Sequence, residues 1–210
     1  MRLERLEATA KPDKIKALFD DGESLTVSTA LCVQFGLYVG AELDGETAAA
    51  LEAAVTKDAA RERAVRILTA TSISERELET RLVQKGVLES DAADAVAWLK
   101  EHHFLDDAAT AAQLVDSAVR KGYGRARIQS ILYEKKIPKE LWEDALARVP
   151  QMDDTIDRFL AARLRGKAPD EKLVKKTVDA LLRRGFGYGE IRDGLRRYET
   201  ELEDITEDME

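Results

Sequence analysis

Two phrases 63 residues apart constrain this chain more than any other feature of it. RKGYGRARIQSILYEKKI starts at Arg120 and LRRGFGYGEIRDGLRRY at Leu182; in each, a glycine–aromatic–glycine step follows cationic residues and precedes apolar residues at helical spacing. Gly122 and Gly185 both stand six residues before an isoleucine, Ile128 and Ile191, so the phrases repeat in phase. Helical units this short cannot each bury an apolar stripe alone, and a phase-matched repeat implies units stacked on one another. Each phrase is expected to form a helix–helix corner. Gly122, Gly124, Gly185 and Gly187 permit positive φ or close chain approach there, while the aromatic covers the end of a small core. Neither phrase is a phosphate loop, because neither sits in a strand–helix passage ending in Lys–Ser/Thr.

A fainter first round lies upstream. SERELETRLVQKGV places Glu77 three residues after Ser74, a capping-box spacing, with Gly86 able to end the helix. Its Leu78 and Leu82 match Ile128 and Leu132, then Ile191 and Leu195, and these six are the expected core positions. Equivalent residues are 50 and then 63 apart, so the second interval needs an insertion or longer helices near 163–171, where Gly166 and Pro169 stand. Further helical stripes comprise Leu51, Val55, Ala59, Val65 and Leu68, then Ala92, Val96 and Leu99 beside Trp98, then Ile156, Phe159 and Leu160. Before residue 46 the pattern differs: IKALFD and SLTVS read as two strands turning at Asp21-Gly22, with a short helix near 29–35. The expected fold is mainly α: tandem three-helix repeats forming an elongated curved array, with a small β-hairpin-containing N-terminal element. Its parts are residues 1–45 (β-containing), 46–105, 106–150 and 151–198 (three three-helix units), and 199–210 (a mobile acidic tail).

The net charge of −8 conceals an uneven distribution. Residues 1–105 carry −6, 106–149 carry +1, 150–198 carry +4, and the last twelve carry −7. Contact with a polyanion depends on the local field, so the basic surplus in the later repeats matters more than the acidic total. Arg120, Lys121, Arg125, Arg127, Lys135 and Lys136 frame the first phrase, and Arg183, Arg184, Arg192, Arg196 and Arg197 frame the second. Arg192 and Arg196 share one helical face and Ile191 and Leu195 another. Such a ribbon suits an elongated anionic partner, either a DNA backbone or an acid-lined protein groove, the plain alternative being a solvated face. Tyr123, Phe186 and Tyr188 read as corner core rather than base-stacking platforms, and the acidic tail reads as a shield for the ribbon.

Enzymatic chemistry finds little to work with. His102 and His103 are neighbours that point apart on a helix, which suits capping or solvation better than catalysis. Asp106-Asp107 and Asp153-Asp154 open helices and favour their N-termini. No metal or cofactor is expected, and the single Cys32 reads as a buried thiol. With 44% hydrophobic residues and no long apolar run, the chain is expected to be soluble, without membrane contact. The absence of a leader pattern points to the cytoplasm.

The ordered set AVRILTATSISERELETRLVQKGV, AVAWLKEHHFLDD, RKGYGRARIQSILYEKKI and LLRRGFGYGEIRDGL resembles the RecX family of bacterial RecA regulators, over most of the chain. The resemblance implies a curved array of three three-helix units acting without catalysis. It implies binding in the groove of the RecA filament on single-stranded DNA, with suppression of filament growth, ATPase, strand exchange and SOS coprotease activity. Some relatives bind DNA directly, so a DNA-repair module acting without RecA is the second reading; a monomer is expected in either case. The family's motif positions fall on Ser74, Glu77, Leu78, Leu82, Lys85 and Gly86; on Leu105, Asp106 and Asp107; and on Gly122, Gly124, Arg127, Ile128, Lys136 and Ile137. Thr110, Asp116, Ala118 and Arg125 depart from the pattern of relatives.

Overall fold

The computed structural model describes residues 1–164 and 171–207, with side chains to residue 200. The chain forms two compact units, Met1–Leu105 and Asp106–Glu210.

In the first unit, β1 (Leu3–Ala8), β2 (Lys14–Phe19) and β3 (Ser24–Ser28) form an antiparallel sheet in that order. The expected hairpin is β2–β3. Gly22 takes φ +86° at its turn, and the Glu23 amide donates to the Asp21 carboxylate at 3.0 Å. Strand β1 was not expected, and a bulge explains why. The register slips between Leu3 and Arg5, so Leu3 faces Phe19 while Leu6 faces Ala17. The bulge therefore turns two leucines three apart toward the same core, which hides the period-two alternation of a strand. Ser28 caps α1 (Thr29–Gln34).

Helix α2 (Gly45–Ala70) runs 26 residues from its Asp44 cap and serves two cores. Leu51, with Ala48, Ala54 and Val55, packs against the sheet; Ala60 and Ala64, with Ile67 and Leu68, pack against α3 (Glu75–Gln84) and α4 (Glu89–Glu101). At 3.6 residues per turn, Ala60 lies about 180° around the helix from Leu51. The single stripe expected from the sequence is corrected accordingly: Val65 is 38% exposed and Ala59 is exposed, because the buried face switches sides along the helix. Residue 45/46 marks the start of α2. The β element and the first helical unit share α2.

The second unit holds α5 (Asp107–Arg120), α6 (Arg125–Glu134), a single 3-10 turn (Lys139–Leu141) leading into α7 (Trp142–Ala147), and then α8 (Asp153–Leu164), α9 (Glu171–Arg183) and α10 (Tyr188–Glu207). Ala111, Val115, Ile128 and Leu132 centre one core, and Ile156, Leu160, Leu181 and Ile191 the next. Val119 and Val149 pack against both. Leu78, Leu82, Ile128, Leu132 and Ile191 are buried, but Leu195 is only half-buried. Gly194 and Tyr198 take the deeper positions, because a side chain at Gly194 would collide with Ile156 on α8. The acidic stretch read as mobile from residue 199 continues α10 to Glu207. Residues 165–170, including Gly166 and Pro169, and 208–210 lie outside the described residues.

One ion-pair cluster fastens the sheet to α2. The Lys14 side chain on β2 is 8% exposed, and its ammonium donates to Asp58 at 2.9 Å and pairs with Glu62. Burial alone would lower the Lys14 pKa, but the hydrogen bonds and charges of Glu62 and Asp58 outweigh it and raise the pKa above its ordinary 10.5. The stabilisation is therefore complete at neutral pH and is lost as pH rises through the raised value. Lys14→Ala is expected to cost about 1–3 kcal/mol in urea unfolding at pH 7, below the range for a fully buried pair because its partners keep about a third of their exposure. The gap between wild type and variant should close at pH above 10.5.

Candidate partner interface

The two glycine phrases have the same local geometry for the same reason. Helix α5 ends with Gly122 at φ +69°, and the amides of Gly122 and Tyr123 return to Val119 and Ala118. Helix α9 ends with Gly185 at φ +88°, and the amides of Gly185 and Phe186 return to Leu182 and Leu181. Both are left-handed helix stops of the kind glycine adopts without steric cost. The second glycine in each phrase opens the next helix. Gly124 is the N-cap of α6, and the Gly187 amide donates to the Glu190 carboxylate at 2.5 Å.

These corners are pressed together. The Gly124 amide donates to the Arg184 carbonyl at 2.8 Å, and the Ala126 amide to the Gly185 carbonyl at 3.1 Å. A Cβ on Gly124 would run into the backbone of Gly185 and Phe186, and one on Gly185 into the backbone of Arg127. Gly86 ends α3 at φ +82° with open space around it, but by the 50-residue offset it matches Lys136, at φ 54° after α6, and not Gly122, whose equivalent is Ser72. Glycine thus supplies both the turn and the close chain approach at the two stacked corners.

Stacking brings together cations distant in sequence, but it uses some of them internally. Arg184 donates through Nη1 to the Lys121 carbonyl at 3.2 Å, and its guanidinium lies 5.1 Å from the Phe159 ring centroid. Arg125 donates to the Leu146 carbonyl at 3.2 Å, and Arg127 pairs with Glu134 at 2.9 Å. Arg197 is held by Asp157 and Asp153, at 2.7 and 3.4 Å, and the Asp157 hydrogen bond raises its pKa further. Lys135 and Lys136 already have interaction partners. Arg120, Lys121, Arg183 and Arg196 are exposed and form no ion pair with another described residue, while Arg192 is 70% exposed beside Asp193. The candidate contact surface accordingly centres on Arg120, Lys121, Arg183, Arg192 and Arg196.

The structure adds to the sequence reading at one aromatic, at the lysines of α9 and at the acidic stretch. Phe186 is buried and Tyr123 half-buried at the corners, but Tyr188 is 71% exposed, one turn before Arg192. Lys172, Lys175 and Lys176 on α9 were not singled out, yet all are exposed and without an ion pair to a described residue. Lys172, Lys176 and Arg183 fall within about 40° around α9, a signal legible in LVKKTVDALLRR by helical spacing alone. The helical backbone also carries residues 199–207, expected to shield the basic ribbon, about 17–28 Å along α10 from Tyr188 and past Arg196.

The other candidate groups serve helix ends or cores. Asp106 accepts from the amides of Ala108 and Ala109, and Ser74 from Glu77. His102 stacks on Trp98 with ring centroids 4.6 Å apart, and His103 closes α4 at φ 58°. Cys32 is buried, and burial pushes its thiol pKa up. Among the described residues no group of three or more His, Cys, Asp and Glu is placed to hold a metal ion, and no helix is long and apolar enough to cross a membrane.

Three-helix units closed by left-handed corners, with their charges on loops and helix faces, define a helical-repeat scaffold. The family profile described as RecX, second three-helix domain, matches residues 106–146. The regulatory protein RecX of Vibrio parahaemolyticus is 33% identical over 138 residues, spanning 62% of this chain and 86% of that protein. That of Cronobacter sakazakii is 31% identical over 153 residues, spanning 66% and 91%. A crystal structure of regulatory protein RecX shares the fold at TM-score 0.71 and 22% identity, covering 91% of this chain and 98% of that one. RecX from Lactobacillus salivarius gives 0.59 and 20%, covering 70% and 99%. The chain belongs to the RecX family.

The stacked corner makes a sharp distinction among glycines. Gly124→Ala and Gly185→Ala should each cost about 2–4 kcal/mol in urea unfolding, since the added methyl meets backbone that cannot yield. Gly189→Ala, in α10 with open space around it, should be neutral or stabilise by up to about 1 kcal/mol.

Proposed function

We propose that this protein regulates RecA by binding along the groove of the RecA filament on single-stranded DNA, restraining filament growth, ATP hydrolysis, strand exchange and coprotease activity. The observation that carries this reading is the stacked corner. It gathers Arg120 and Lys121 from one repeat and Arg183 from the next at adjoining helix ends, with Arg192 and Arg196 on the following helix. Membership of the RecX family supports the partner. An acid-lined groove winding past successive subunits would suit guanidinium groups on a preformed scaffold, which meet it at little ordering cost. Exposed Tyr188 beside Arg192 fits a protein partner, because Tyr and Arg are enriched in protein interfaces.

A second reading, direct binding to DNA, is favoured by α9. Lys172, Lys175 and Lys176 form a lysine-rich face, a residue type depleted from protein interfaces yet suited to phosphate contact.

Titrating the protein into RecA hydrolysing ATP on single-stranded DNA should lower the rate in proportion to occupancy. Binding should be tighter to the RecA–DNA complex than to either component alone. Lys121→Ala with Arg183→Ala should weaken that binding about 5- to 10-fold, with the helical circular-dichroism signal intact. A RecA–DNA mixture indifferent to the protein would exclude the first reading. For the second, replacing all three α9 lysines by alanine should flatten the salt dependence of DNA binding measured without RecA, because fewer counterions are released; an unchanged slope would exclude it.

A further inference from the structure

We propose that Arg184 is a positioning residue, a clasp that holds the second and third repeats in one register so that their exposed cations act as a single surface. The inference rests on the filament-binding reading for its functional consequence, though its structural part can be tested without RecA. The two phrases align Arg120-Lys121-Gly122 with Arg183-Arg184-Gly185, so Lys121 and Arg184 are equivalent in the repeat. They are used in opposite ways. The Lys121 side chain is exposed and forms no ion pair with a described residue. The Arg184 side chain is half-buried and turns back on the other corner.

The contact is reciprocal. Through its side chain, Arg184 donates to the Lys121 carbonyl at 3.2 Å, with the Gly122 carbonyl at 3.5 Å. Through its own main-chain carbonyl it accepts from the Gly124 amide at 2.8 Å. The guanidinium meanwhile lies over Phe159 of α8. A planar group with several fixed donors can stack and donate at once, whereas an ammonium on a flexible stem is a poor substitute. A left-handed helix stop requires no side chain at this position, since its hydrogen bonds are all backbone. The side chain is thus available for another purpose, and the geometry assigns it to joining its repeat to residues 62 and 63 positions earlier in the sequence.

The consequence is one of effective concentration. Lys121 and Arg183 belong to different repeats, and they can engage a long partner together only if the joint between them keeps one geometry. When the clasp is released, each repeat pays its own ordering cost, and the second contact loses the advantage of being intramolecular. Arg184 would then govern affinity without touching the partner.

The test combines Arg184→Ala and Arg184→Lys in the full chain. Amide hydrogen exchange, measured on the protein alone, should rise at least tenfold at Gly124 and Ala126 in both variants. Affinity for the RecA–single-stranded DNA complex should fall about 5- to 10-fold in both. If Arg184 instead contacts the partner by its charge, Arg184→Lys keeps wild-type binding and exchange at Gly124 and Ala126 stays low, which overturns the proposal. Phe159→Leu removes the ring but leaves the corner backbone, and it should give a smaller rise at the same two amides; no rise there, should Arg184→Ala prove unfolded, equally overturns it. Faster exchange in a protein whose wild type ignores RecA would leave the clasp standing and remove the filament-binding reading.

Discussion

Two backbone hydrogen bonds, from Gly124 to Arg184 and from Ala126 to Gly185, hold much of the rest in place. They can form only if neither corner carries a Cβ at the point of approach, and this is why glycine stands at both Gly124 and Gly185. Such contacts satisfy donors that the start of α6 would otherwise expose. The joint follows from the repeat. Two copies of one corner present the same backbone edge, and a small offset lets the amides of one meet the carbonyls of the other.

The joint also explains how an acidic protein can display a basic surface. Charge is segregated along the chain, and the fold sorts it again among the cations. Arg125, Arg127, Arg184 and Arg197 close contacts within the second unit, while Arg120, Lys121, Arg183 and Arg196 remain exposed. A guanidinium that stacks or bridges carbonyls is already committed, and the set of uncommitted cations is smaller than the basic composition suggests. The lysines of α9 enlarge it on a separate helix face.

The first unit is organised on another plan. Helix α2 buries opposite sides at its two ends, joining a three-stranded sheet to a pair of short helices. The buried Lys14 cluster secures that junction from the sheet side. Two small cores that would each be marginal alone are thereby made to share one long helix.

Much of the architecture could be read from residue order alone. Ser74 with Glu77, the six-residue phase from Gly122 to Ile128 and from Gly185 to Ile191, and the β2–β3 turn at Asp21-Gly22 are local signals, set by which backbone conformations a few adjacent residues allow. Strand β1 and the switching face of α2 were illegible because a bulge and a change of packing partner each break the simple period. The division of the cations lay equally out of reach. Arg184 and Lys121 occupy the same place in the same motif, and only the approach of two corners more than 60 residues apart determines that one guanidinium is drawn inward. Local conformation is encoded by neighbours along the chain; which charges stay free is decided by neighbours in space, and those exist only once the repeats have packed.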